Sequence, residues 1–307
     1  MEKSSETGKI AIVYDSGSSL PENFQTTKYG GLVEVPLVII GGDDEEQTDH
    51  SFESDEEREK FVFYLKRNEL KTSQPNSWAY KNVFENITKT GVTEIAVVPM
   101  SNRLSGSMGS AQSAAWEFRD KANVVVADCK TVSIGQGLLI TQANIENRKG
   151  EFNNAKELVN RVEKLSKELY VTQALPSLEY LIKGGRIGRI RGGLARLAGI
   201  TPVVGVSEDG QLESIAEKPK GWQHTREAMI DYVSKEVGHR AVRLAILYFR
   251  SNQLDNLRND IKDRFVIATD DNGKEYDVLE NEQRMGLGVY SGPETISFGA
   301  LALDKIN

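Results

Sequence analysis

A single cysteine in 307 residues, Cys129, leaves no partner for an internal disulfide. That usage fits a reducing compartment. Histidine is scarce as well: His50, His224 and His239 are the three. No run approaches the roughly 20 apolar residues that a membrane-spanning helix needs. The opening residues, Met1-Glu2-Lys3-Ser4-Ser5-Glu6, carry no apolar signal-peptide core. The expectation is a cytoplasmic protein without stable membrane insertion. Positive charge is in deficit, with 38 Lys and Arg against 45 Asp and Glu, a net charge of −7. This disfavours capture of nucleic acid or an anionic membrane by the overall field. An anionic ligand has to be met by a local cluster of donors.

Several catalytic signatures are also missing. There is no Gly-x-x-x-x-Gly-Lys-Ser/Thr loop for nucleotide phosphates. Gly135-Gln136-Gly137 follows a strand pattern, but Ile140 stands where a dinucleotide fingerprint needs its third glycine. No Gly-x-Ser-x-Gly elbow occurs. His224 and His239 fall at the edges of a predicted helix and read as surface residues rather than bases. Cys129 follows a strand and reads as a structural residue more than a reactive thiol. No cofactor is expected.

What is present is a regular alternation. Short β-branched runs at 10–13, 33–40, 95–98 and 124–126 have the length of buried strands. Helical spacing fills 78–88, 111–118 and 134–145. Strands alternating with helices imply parallel βαβ units. After Gly150 the pattern changes to helix 155–169, strand 169–172, a hairpin 202–216 turning on Glu208-Asp209-Gly210, helix 223–236, strand 242–249, helix 252–264 and a last strand near 296–303. The fold class is therefore α/β with two domains: residues 1–150 around a parallel sheet and residues 151–307 around a mixed sheet. The acidic stretch from Gly41 to Glu59 reads as an exposed loop entering a helix near Asp55; its acids lack calcium-loop or zinc spacing.

Three clusters offer hydroxyl and backbone donors. Ser101-Asn102-Arg103-Leu104-Ser105-Gly106-Ser107 links a strand to a helix start. There, free N–H groups and the helix dipole favour an anion. Ser105 or Ser107 acting as an ordinary helix cap is the simpler alternative. Thr72-Ser73-Gln74-Pro75-Asn76 adds two hydroxyls, with Asn76 as the expected cap of the following helix. Gly286 to Pro293 brings Tyr290 and Ser291 beside a tight Gly292-Pro293 turn.

These blocks, in this order, resemble the DegV family of fatty acid-binding proteins nearly end to end. The segment from Ile12 to Pro21 is similar to its Val-x-Asp-Ser-x-Ser-Asp-Leu-Pro opening. Thr72-Ser73-Gln74-Pro75 matches its Thr-Ser-Gln-Pro signature. Leu104-Ser105-Gly106-Ser107 with Ser110-Ala111 resembles Leu-Ser-Gly-Thr-x-x-Ser-Ala. The block from Asp128 to Gly137 and the segment from Ser177 to Ile187 match two further signatures. The resemblance implies two α/β domains with a long-chain fatty acid between them. It places the carboxylate on Thr72, Ser105 and Gly106, with Ser73, Ser107, Tyr290 and Ser291 as neighbouring donors. It also implies a separate ATP-binding fatty acid kinase subunit as a partner of some members. One departure stands out: Tyr290-Ser291-Gly292-Pro293-Glu294 replaces the usual His-Thr-Gly-Pro-Gly, so the customary histidine is a tyrosine here.

The segment from Gly184 to Arg196 concentrates arginines in an acidic chain. A phosphate site, a docking patch for a partner protein and plain surface pairing are all open readings. Arg186, Arg189 and Arg191 are the docking candidates, with Arg186 inside the shared signature. The competing functional class is a small-molecule phosphotransfer or hydrolytic enzyme using Ser105, Asp15 or Asp128. It suffers from the lack of an evident base for the serine.

Overall fold

The computed structural model describes residues 10–21, 31–42, 44–50, 52, 54–67, 69–190, 200–216 and 219–303. The first part of the chain runs β1 (Ile10–Asp15), β2 (Leu32–Val35), β3 (Val38–Gly41), β4 (Asp44–Thr48), α1 (Asp55–Lys66), β5 (Leu70–Ser73), α2 (Ser77–Thr88), β6 (Glu94–Val98), α3 (Ser107–Phe118), β7 (Asn123–Val126), α4 (Ile134–Arg148) and α5 (Ala155–Leu165). The rest runs β8 (Leu169–Ala174), α6 (Glu179–Lys183), β9 (Val203–Val206), β10 (Leu212–Ala216), α7 (Gly221–Val237), β11 (Ala241–Phe249), α8 (Leu254–Ile261), β12 (Val266–Ile267), β13 (Leu279–Glu282), α9 (Met285–Ser291) and β14 (Thr295–Leu303).

Three sheets result. A parallel sheet has the order β2-β1-β6-β7. Its central strand β1 is buried throughout, as a strand covered on both faces must be. Ile10, Ile12 and Tyr14 belong to the core shared with α4 and α5, while Ala11 and Val13 face α2 and α3. A mixed sheet follows β10-β9-β8-β14-β11-β12, with β13 also parallel to β11. The Asp-Gly step does turn the β9–β10 hairpin, Gly210 taking φ 83°. The third sheet, β4-β3-β5, is antiparallel. It packs with α1 and α9 through Ile39, Phe61, Leu65, Met285 and Val289.

Two sequence expectations change, and one helix is new. The run 33–40 is two strands in two sheets, broken at Pro36-Leu37, since proline supplies no N–H to a ladder. The acidic stretch after Gly41 contains β4, paired to β3, rather than a loop. The donor cluster from Gly286 to Ser291, given no element from the sequence, lies on helix α9, which ends at Gly292. Two glycines disfavour a helix by propensity, but a Cβ on Gly286 would sit 2.6 Å from Asp49 Oδ2. Close packing against a carboxylate decides that position.

The two large sheets enclose α4 and α5. Residues of β1, α4, α5, β11 and β14 form one hydrophobic cluster. In α5, the Ala155 N–H donates to Glu94 Oε2 of β6 at 2.7 Å. We therefore propose dividing the chain after Leu165 rather than near Gly150.

Candidate functional site

The strand order of the parallel sheet reverses at β1, which has β2 on one side and β6 on the other. Crevices beyond the carboxyl ends of such strands are where α/β sheets hold ligands. Asp15 ends β1 there. Its carboxylate accepts from Met100 N (3.0 Å), Gly17 N (3.2 Å) and Gln136 Nε2 (3.2 Å). Burial pushes its pKa up to about 6, against the pull of those hydrogen bonds. Asp15 thus ties together the loops after β1 and β6 and the first turn of α4.

The loop after β6 carries the first donor cluster. Ser105 Oγ lies 3.0 Å from Ser107 Oγ and accepts from Ser107 N at 3.2 Å. Ser105 is half-buried, while Ser107 is fully buried beneath it. Ser107 therefore supports Ser105 rather than facing a ligand. Gly106 precedes α3 at its cap position. A Cβ there would stand 2.8 Å from Gln74 Nε2. The glycine allows the Thr72–Asn76 segment to close against this loop. Asn76 caps α2 as expected, accepting from Ala79 N at 2.9 Å.

On β5, Thr72 Oγ1 meets Tyr290 OH of α9 at 2.6 Å. Its neighbour Ser73 points to the other face, as successive strand residues do, and donates to Gln74 O at 3.3 Å. Ser73 is not brought to the site. Ser291 is buried and accepts from Gln283 Nε2. Arg186 covers this group: its guanidinium lies 4.9 Å above the Tyr290 ring, with Nη1 donating to Gly184 O at 2.6 Å and Nε donating to Leu104 O at 3.3 Å. Arg186 is therefore turned inward, not presented as an outer docking group. Arg189 pairs with Asp209 at 2.8 Å on the β9–β10 turn. Arg191 lies outside the described residues.

Cavities follow this framework. An outer cavity of about 470 Å³ is walled by Leu65, Leu70, Tyr180 and Val289, with Lys71, Thr72 and Arg186 on its polar side. Arg186 and Tyr290 also line an inner cavity of about 60 Å³, continued by Met100, Leu104, Leu181, Leu212 and Leu287. Val132, Ser133, Gln173 and Leu212 line both that space and a narrower one of about 20 Å³. Val171 and Val206 are shared by the narrow space and a polar chamber of about 540 Å³ beside Lys130, Lys167 and Tyr232. Neighbouring spaces thus share lining residues from Tyr290 to the β8–β9 part of the mixed sheet.

The enzyme reading finds little here. The Ser105 hydroxyl bonds to the hydroxyl and amide of Ser107, with no hydrogen bond to a histidine or carboxylate among the described residues. Asp128 accepts from Lys130 N at 3.3 Å and is half-buried. Cys129 donates to Pro99 O at 2.8 Å, and burial pushes its thiol pKa far up, away from reactivity.

Sequence reasoning missed one polar junction. Glu34 of β2 pairs with the buried Arg284, whose Nη2 donates to Leu20 O at 2.9 Å. Asp49 accepts from Ser16 Oγ (2.6 Å) and from Gly286 N at the start of α9 (2.8 Å). Burial raises Glu34 to about 7 despite Arg284, and raises Asp49 also. These groups fix the helix that carries Tyr290. Isolated charges in Glu34 and Arg284 gave no signal, because their partners lie 250 positions apart.

The model of the family described as "Uncharacterised protein, DegV family" matches residues 9–303. A DegV domain-containing protein of Staphylococcus aureus is 31% identical over 230 residues, 75% of this chain and 76% of its own length. One from Caldanaerobacter subterraneus is 27% identical over 291 residues, covering 93% and 96%. Among solved structures, a fatty acid-binding DegV family protein from Thermus thermophilus superposes with a TM-score of 0.80 at 24% identity, over 96% of this chain and 99% of that one. A DegV family protein from Eubacterium eligens loaded with heptadecanoic acid gives 0.76 at 20%, over 96% and 100%. The two likenesses establish a shared fold. No helix among the described residues is long and apolar enough to cross a membrane.

Proposed function

The chain belongs to the DegV family, and from that membership and the geometry above we propose that it binds one long-chain fatty acid and performs no chemistry of its own. The carboxylate rests against Thr72 and Tyr290 with Ser105 and the Gly106 backbone opposite, and the chain enters the apolar inner space. The observation that carries the reading is the meeting of Thr72, Tyr290 and Arg186 where the outer cavity joins that inner space. The fatty acids held by its structural neighbours support it.

Energetics favour the same assignment. Each buried methylene contributes about 0.8 kcal/mol, so a chain of about sixteen carbons gains on the order of 10 kcal/mol before the costs of association. The inner spaces of about 60 and 20 Å³ are too narrow for such a chain as they stand. Binding must part Leu104, Leu181, Leu212 and Leu287. The donors set orientation, since a carboxylate buried without them is costly. Arg186 supplies a positive charge that Tyr290 does not.

In this reading the protein acts in the cytoplasm and presents the carboxylate to an ATP-binding kinase subunit. Support for that partner is the family resemblance, with the exposed Arg189 as the remaining docking candidate among the described residues. The test is native mass spectrometry and organic extraction of the purified chain, followed by titration with hexadecanoic acid. A stoichiometric acyl chain is expected. No extracted lipid together with no uptake overturns the proposal.

A further inference from the structure

The middle of the channel carries more polarity than a plain hydrocarbon can satisfy. Ser133 directly precedes α4, where serine ordinarily caps a helix. Its side chain makes no capping bond, and its backbone sits at φ 63°, ψ −146°. A non-glycine residue keeps such a conformation only where its surroundings impose it. Here the Ser133 N–H donates to Gly17 O at 2.9 Å. The residue is 6% exposed, and its hydroxyl has no hydrogen-bond partner among the described residues.

Ser297 of β14 lines the same narrow section. It is 1% exposed, and its hydroxyl likewise has no partner among the described residues. Gln173 of β8 completes the group, its amide nitrogen making a long 3.5 Å bond to Gln283 Oε1. Ser133 and Gln173 line both inner spaces, and Ser297 lines the narrower one. Around them stand Val132, Val171, Val204 and Leu212.

A buried hydroxyl without a partner carries its full desolvation cost. A run of methylenes passing Ser133 and Ser297 leaves both unmet. An oxygen on the chain at that depth meets them, because a serine hydroxyl both donates and accepts. We propose that the ligand is a long-chain fatty acid bearing a mid-chain oxygen function, a hydroxyl or an oxo group, held by Ser133, Ser297 and Gln173. This inference rests on the fatty acid reading above and names the substrate class within it.

The experiment compares binding of octadecanoic acid with its positional mid-chain hydroxy and oxo isomers, using the full delipidated chain. Three proteins are measured: wild type, Ser297→Ala, and Ser133→Gly. Glycine tolerates the positive φ at 133, so that variant removes the hydroxyl without straining the turn. Wild type prefers at least one oxygenated isomer by about tenfold. Each variant reduces that preference to about threefold or less. Equal binding of octadecanoic acid and every isomer by wild type overturns the inference and leaves fatty acid binding intact. A preference that survives both substitutions also overturns it. If neither class of acid binds, the fatty acid reading fails and takes this inference with it.

Discussion

Thr72 and Tyr290 stand 218 positions apart in sequence, and their hydroxyls meet at 2.6 Å. The contact joins β5 of the small antiparallel sheet to α9, where the outer and inner cavities adjoin. It links two of the donor clusters visible in the sequence. Because α9 is held from its other end by Arg284 and by Asp49 on Gly286 N, the position of the Tyr290 phenol is set by polar bonds at both ends.

Tyr290→Phe removes that bond while keeping the ring under Arg186. We expect a loss of about 1 kcal/mol in unfolding free energy, together with weaker binding of hexadecanoic acid. Urea denaturation and calorimetric titration measure the two effects. An unchanged affinity would take the phenol out of the binding site.

Ser105→Ala leaves a bound carboxylate short of one donor. The dissociation constant for hexadecanoic acid should rise by an amount equivalent to about 1–3 kcal/mol. The fold should survive, since Ser107 N, which Ser105 Oγ accepts from, lies at the start of an otherwise packed helix. Equal affinity in the variant counts against a head-group role for Ser105.

Glu34 and Arg284 form a buried ion pair between β2 and the start of α9. Removing one partner strands the other. At about pH 8, above the raised Glu34 pKa, Glu34→Ala should cost about 3–5 kcal/mol. Replacing both, as Glu34→Leu with Arg284→Met, should recover most of that loss. Denaturant midpoints of the single and double variants check this; a double variant no better than the single one speaks against a paired role.

Asp15 gives a pH signature. Its folded pKa, about 6, lies above the ordinary 3.8. The folded state therefore holds the proton more tightly than the unfolded chain does. Its contribution to stability is greatest below pH 3.8 and is lost as pH rises through about 6. The stability of wild type minus that of Asp15→Asn should fall by on the order of 3 kcal/mol from pH 4 to pH 7. A difference that stays flat or rises over that range contradicts the assignment.

Much of this was readable in one dimension. Strand runs such as Ile10–Val13 and Ile95–Val98 are long enough and apolar enough to announce buried parallel strands. Asn76 and the Asp209-Gly210 turn act through bonds to near neighbours, so local chemistry sufficed. The places where the reading failed share a cause. β4 is acidic and forms because β3 offers it an open edge. Helix α9 contains two glycines and forms because Asp49 and Phe61 press against it. Arg186 carries the same charge whether it faces outward or lies over Tyr290, and only packing settles which.

By itself the sequence determined the α/β class, the family and the set of hydroxyl-bearing loops, because periodicity, turns and ordered motifs are local properties of the chain. Tertiary structure alone decided which hydroxyls face the channel. Strand alternation separates Thr72 from Ser73 once β5 has a register, and burial under Ser105 removes Ser107. The unmet hydroxyls of Ser133 and Ser297 exist only because two distant segments close on one narrow space. Long-range packing supplies partners or withholds them, and no local pattern records that outcome.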